Sequence, residues 1–162
     1  MPRYDVTDQA TLAATPAEIF AAIEDEAAGR SQWWRPWLAI RQLGEVPYTQ
    51  VGGRALLTVS GLGRLDRPWA TARFEAVVTE VERDRRLAVD YVRGDFHGSS
   101  EWTLEPVDDA RTHVVFRWLA DPAGAMRLWA RLLDVPRNHS RVIRKGFTAM
   151  EVYIAERRAL AA

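Results

Sequence analysis

The sequence contains no cysteine. That excludes disulfides and thiolate chemistry and fits a reducing, cytoplasmic setting. Neither sign of charge is in excess: 22 Lys+Arg stand against 22 Asp+Glu, for a formal net charge of +0. No net positive field therefore argues for nucleic acid or an anionic membrane as partner. Histidine is scarce, with three residues at 97, 113 and 139. These lack metal-ligand spacing, no His-Glu-x-x-His occurs, and neither a metal nor a cofactor is expected. "GLGRLD" is a lone Gly-x-Gly in a turn, and P-loop and Gly-x-Ser-x-Gly motifs are missing. No run approaches the ~20 apolar residues of a membrane span. The first twenty residues lack the apolar segment of a signal peptide, so the expected location is cytoplasmic.

What is present is a globular composition. The chain has 162 residues, 48% hydrophobic and 27% charged, enough to bury a core as one domain spanning 1–162. Tryptophan is abundant, with seven residues at 33, 34, 37, 69, 102, 118 and 129. So many large rings in one small core suggest packing around something, or lining a cavity.

"RYDVTDQATLA" reads as a strand. "TPAE" then opens a helix, with Thr15 as N-cap, Pro16 at the first helical position and Glu18 completing a capping box. Ile19, Phe20 and Ile23 form its apolar stripe. "EDEAAGR" continues or restarts the helix, and Pro36 in "SQWWRPW" breaks regular structure. Six β-prone runs follow between Leu38 and Pro122, separated by Gly and Asp turns, as in an antiparallel meander. "PAGAMRLWARLLDVP" predicts a short helix. From about Arg137 the apolar spacing of His139, Ile143, Phe147, Met150 and Ile154 predicts one long helix. The order is strand, helix pair, six strands, long helix. The sheet must bury its apolar face, and the long helix is the natural lid.

"RGDFHGSSEWTLEP" gathers a histidine, two serines and two acids, which invites a hydrolase reading. A type II′ turn at Gly94-Asp95 instead pairs 91 with 98, 89 with 100 and 87 with 102. Alternation then places Leu87, Val89, Tyr91, Gly98, Ser100 and Trp102 on one face, and His97, Ser99 and Glu101 on the other. The next hairpin opposes Trp102 to Phe116, Leu104 to Val114, Glu101 to Arg117 and Glu105 to His113, with the same sidedness. His97, Ser99 and Glu101 are therefore expected in solvent. Gly98 makes room for Tyr91, makes room for a ligand, or marks a bend.

"TPAEIF", "WWRPW", "GDFHGSSEWTLEP" and "RNHSRVIRKGFTAMEVYI", in this order, resemble the SRPBCC superfamily, also called START-like or helix-grip proteins, and its polyketide cyclase/dehydrase-like branch. The resemblance implies an α+β fold: a curved seven-stranded antiparallel sheet wrapped around a long C-terminal helix, with two short helices after strand 1. It also implies an apolar cavity. Members bind lipids or other hydrophobic molecules or cyclise polyketides, with no shared catalytic motif.

The expected ligand-binding set is Trp33, Trp34, Trp37, Tyr91, Gly98, Trp102, Phe116, Trp118, His139, Ile143 and Phe147. The tryptophans at 33, 34 and 37 are either a gate at the cavity mouth or core packing. His139 lies on the apolar stripe of the long helix, where a packing role is the first expectation; with Tyr91, which can also simply pack, it is the candidate for proton transfer. The expected function is binding of a small apolar or aromatic molecule. The alternative is a polyketide cyclase, aromatase or dehydratase using non-covalent acid/base catalysis. A third reading is an interaction module whose exposed tryptophans meet a partner protein. The oligomeric state stays open between monomer and homodimer.

Overall fold

The computed structural model describes residues 1–162. Strand β1 (Tyr4–Leu12) leads into helix α1 (Pro16–Ala27). Six strands follow: β2 (Leu38–Leu43), β3 (Arg54–Val59), β4 (Ala72–Glu82), β5 (Arg86–Gly94), β6 (Phe96–Pro106) and β7 (Thr112–Pro122). Helices α2 (Met126–Trp129) and α3 (Val135–Ala161) close the chain, and a single 3-10 turn (Pro68–Ala70) precedes β4. All strands join one antiparallel sheet in the order β1-β7-β6-β5-β4-β3-β2.

The local signals act as their chemistry requires. The Thr15 side chain accepts from the Glu18 backbone N–H, and the Glu18 carboxylate accepts from the Thr15 N–H at 2.8 Å. These bonds satisfy donors that the helix start leaves free. Arg158, near the end of α3, reaches the same carboxylate at 2.5–2.6 Å, so one side chain joins both helices. Chiefly through that guanidinium, and despite some burial, Glu18 is held down to about 2 from 4.5. A carboxyl depressed in the folded state contributes stability above pH ~4.5, and that contribution is lost as pH falls toward 2. We expect Glu18→Gln to lower the urea midpoint at pH 7, with a smaller wild-type–variant gap at pH 3. Equal gaps at both pH values would show that the charge of Glu18 contributes nothing.

The hairpin registers match the sequence expectation. Tyr91 opposes Gly98, Val89 opposes Ser100 and Leu87 opposes Trp102; Trp102 opposes Phe116 and Leu104 opposes Val114. Register shifts occur only between β4 and β5, at Glu75/Ala76 and Val78/Glu80. The phase of β6 is therefore intact: His97 is exposed and Ser100 buried. Glu101 and Arg117 are opposed but choose other partners. Glu101 accepts from Arg86 on β5 at 2.6 Å, and Arg117 donates to Asp5 on β1 at 2.9 Å. Each charge sits between two strands and takes a diagonal partner: Arg117 opposes Thr7 and Glu101 opposes Ala88, so Asp5 and Arg86 each lie two residues off register.

Three expectations about helices are corrected. Only one helix follows β1, because residues 33–37 form turns in place of a second; Pro36 lacks the N–H a helix needs and restricts Arg35 before it. The helix expected over "PAGAMRLWARLLDVP" shrinks to the four residues of α2. The long helix starts earlier, at Val135, where Asp134 caps it by accepting from the Arg137 N–H at 3.1 Å. Its 27 residues make a rod of about 40 Å. Val142, Ile143, Gly146, Phe147, Met150 and Ile154 face inward, so the concave sheet and α3 share one core.

Candidate functional site

The core is not solid. Between the inner face of β2–β7, the N-terminal half of α3 and the end of α1 lies a cavity of about 500 Å³. Of its 34 lining residues, 27 are hydrophobic. Such a volume and lining are typical of small-molecule sites.

Eight of the expected residues line it: Trp33, Trp34, Tyr91, Trp102, Phe116, Trp118, His139 and Ile143. The rings form a connected shell. Trp102 meets Trp34 edge-on at 5.8 Å and Phe116 at 4.9 Å, and Phe96 meets Phe74 at 5.8 Å and Trp118 at 5.3 Å. Edge-to-face pairs favour these ring orientations, and so arranged the rings leave the space between sheet and helix unfilled.

The other three lie outside the lining. Phe147 is buried one turn deeper, behind Trp102 at 6.1 Å. Trp37 packs under Lys145, whose Nζ lies 5.7 Å from its ring, and beside Gly63. Gly98 makes room neither for Tyr91 nor for a ligand. Its φ is +136°, and a Cβ there would strike the backbone of Leu119 and Ala120 on β7. The strand glycine marks a close backbone approach.

Trp33 and Trp34 are anchored from both ends. They stack at 5.0 Å. The Trp33 indole donates to the Ala22 carbonyl of α1 at 2.9 Å, and the Trp34 indole donates to the Val142 carbonyl of α3 at 3.0 Å. Buried Glu26 accepts from the Trp33 N–H at 2.9 Å and from Ser31 at 3.1 Å, while burial pushes its carboxyl up. Two wall aromatics thus fasten both helices to the cavity.

The polar groups of the wall include Tyr48, Tyr91, Ser100 and His139. Tyr91 opposes Gly98, two residues from Ser100 on the neighbouring strand. Burial pushes both phenols well above the usual range, so they are neutral donors. His139 stacks on Trp118, with ring centroids 4.1 Å apart and an interplanar angle of 11°. Burial drives its pKa down to about 3, so its ring is neutral too. Its Nδ1 is buried without a hydrogen-bond partner, 3.8 Å from the Asp8 carboxylate. Asp8 is 3% exposed and takes a hydrogen bond from Ser140 at 2.9 Å, with Arg144 at 3.5 Å. Asp95 is the one charged residue of the wall; it lies in the β5–β6 turn and accepts from the Arg73 N–H at 2.7 Å.

Sequence reasoning missed Asp8 and Tyr48. Asp8 carried a signal, since strict alternation along β1 puts it on the inner face with Tyr4 and Leu12. Tyr48 lies in the β2–β3 connection, where periodicity has nothing to say.

The fold recurs in solved structures. An aromatase/cyclase from Streptomyces sp. R1128 is 18% identical with a TM-score of 0.71, over 95% of this chain and 94% of that one. A START superfamily protein from Mycobacterium smegmatis is 15% identical with a TM-score of 0.67, over 94% and 97%. A protein from Thermus thermophilus is 12% identical with a TM-score of 0.65, over 93% and 99%. At such identities the likeness speaks for the fold alone. No curated protein of similar sequence was found. Residues 3–155 match the family described as polyketide cyclase / dehydrase and lipid transport. The SRPBCC resemblance carried by the sequence motifs is therefore correct, and the chain belongs to the polyketide cyclase / dehydrase and lipid transport family.

Proposed function

We propose that this protein binds a small, uncharged, largely aromatic or aliphatic molecule in the cavity between sheet and α3. One observation carries the reading: a cavity of about 500 Å³ with a mostly hydrophobic wall of edge-to-face rings. Its polar groups favour a neutral ligand. Tyr48, Tyr91, Ser100 and His139 offer hydrogen bonds without charge, and a carboxylate would enter with no cation of the wall to pair it. A ketone or hydroxyl oxygen directed at Tyr91 would satisfy both sides.

The second reading, a cyclase or dehydratase, is supported by the place of His139 and Tyr91 in one wall. It asks His139 to accept a proton, and a base with a pKa of about 3 is poorly matched to neutral pH. Binding is the reading the chemistry favours.

The test is a titration with 2-acetylnaphthalene and with 2-naphthoate, nearly the same shape with and without charge, followed by tryptophan quenching. The ketone should bind with an affinity constant from pH 5 to 8, and the acid at least about tenfold more weakly. Ser100→Leu, which pushes carbon into the void, should weaken the ketone by roughly tenfold with the fold unchanged. No quenching by either compound, or equal binding by wild type and Ser100→Leu, would end the cavity reading. Recovery of the ketone unchanged supports binding, whereas a cyclised or dehydrated product from a keto probe would restore the enzyme reading.

A further inference from the structure

The mouth of the cavity is unusually apolar on the outside. Leu62 and Trp69, in the β3–β4 connection, line the cavity and are 57% and 73% exposed. Trp129 and Leu133, in the segment between β7 and α3, do the same at 54% and 47%. Beside them Leu128 and Leu132 are 65% and 75% exposed and do not reach the cavity. Four large side chains from two segments thus stand in water at one opening, and two further exposed leucines are their neighbours in the chain. Scattered surface apolar residues need no explanation, but a contiguous apolar rim does.

The charge of the segment that carries Trp129 and Leu133 is one-sided, although the chain is neutral overall. From Ala123 to Met150 the cations are Arg127, Arg131, Arg137, Arg141, Arg144 and Lys145, and the one anion is Asp134. Asp134 is occupied in capping α3. Arg131, Arg137 and Lys145 have no acidic partner. Across the mouth Arg64 and Arg67 share the single Asp66. Arg141 donates to the Gly61 carbonyl at 2.9 Å, so the base of the β3–β4 connection is tied to the basic helix.

We propose that this rim docks on an anionic lipid bilayer, with the cavity mouth facing the membrane. Tryptophan and leucine interleaved with arginine match the boundary between acyl chains and headgroups. Cations there are attracted by acidic lipid, each adding several-fold to affinity. A second copy of the chain fits less well, because a two-fold pairing of the patch would set its arginines against one another. Docking would let an apolar ligand pass between bilayer and cavity without crossing water. That route builds on the binding function proposed above, whereas the docking surface does not depend on it.

The experiment is flotation of the full chain with phosphatidylcholine vesicles, with and without about 30% phosphatidylglycerol, at low and high salt. We expect partition into the anionic vesicles only, a blue shift of tryptophan emission on binding, and loss of binding at high salt. Leu128→Ser/Leu132→Ser should reduce partition by about tenfold or more, and Arg131→Glu by a similar factor. The leucine pair lies outside the cavity, so its affinity for 2-acetylnaphthalene should stay at the wild-type value and report an intact fold. No partition at low salt, equal partition into neutral vesicles, or unchanged partition of the leucine variant would overturn the proposal. So would a concentration-dependent dimer abolished by the leucine pair, which would give the patch to a second copy. Failure of the ketone to bind wild type would remove the cavity reading and leave the flotation result standing.

Discussion

Gly98→Ala should be among the most destabilising small substitutions in the chain, costing about 3 kcal/mol or more. At this size that corresponds to a fall of roughly 6–12 °C in Tm. Two effects add. The backbone at Gly98 has φ +136°, which side-chain-bearing residues rarely adopt. The added Cβ would also run into the Leu119 carbonyl oxygen and sit 2.9 Å from the Ala120 Cα. Those atoms are backbone of the partner strand, since Gly98 opposes Ala120, and no rotamer change can clear them. β6 and β7 would have to separate at the rim of the sheet. Ser99→Ala, on the outer face one residue along, is the control and should change stability by under about 0.5 kcal/mol. Thermal or urea unfolding decides. If Gly98→Ala unfolds like wild type, the two backbones do not approach so closely.

Gly146→Ala should also destabilise, by about 2 kcal/mol, against the usual rule for helices. Gly146 is in the middle of α3, where alanine normally gains about 1 kcal/mol over glycine. Here a Cβ would lie 2.7 Å from Cζ2 of Trp34 and closer still to the indole nitrogen. Trp34 is 4% exposed. It is held by its bond to the Val142 carbonyl and by its contacts with Trp33 and Trp102. Overpacking a seat this tight outweighs the helix gain. Because Trp34 lines the cavity, the variant should also weaken the ketone probe. In a Trp34→Phe background the obstructing indole atoms are gone, so Gly146→Ala should become neutral or stabilising; a double-mutant cycle by urea unfolding isolates the term. A more stable Gly146→Ala single variant would show that Trp34 moves freely.

Both glycines illustrate how far the amino-acid pattern carries. The strand position of Gly98 and its opposition to Tyr91 followed from the hairpin turn, and both are correct. What it accommodates is the backbone of β7, which the spacing around one turn does not reveal. Gly146 reads as one small residue on an apolar stripe. That it seats a tryptophan more than a hundred residues earlier is a fact of docking. Phe147 and Trp37 have a similar history: Phe147 is on the correct face, but the cavity stops at Ile143 along α3, and Trp37 faces Lys145 instead of the void. His139 was legible as an inward polar residue, whereas Asp8, its neighbour at 3.8 Å, comes from the opposite end of the chain.

The sequence by itself determined the seven strands and their order, the capped start of α1, the hairpin registers and the inner face of the sheet. These depend on bonds and alternation within about ten residues, where the local pattern is complete information. Only the tertiary structure decided whether the aromatic face fills or encloses space, which tryptophans are wet, and where the balanced charges collect. A void is the small difference between the space a curved sheet and helix enclose and the volume of the side chains within it. Both terms depend on distances between segments far apart in the chain, and a composition with no net charge holds no record of which side its arginines share.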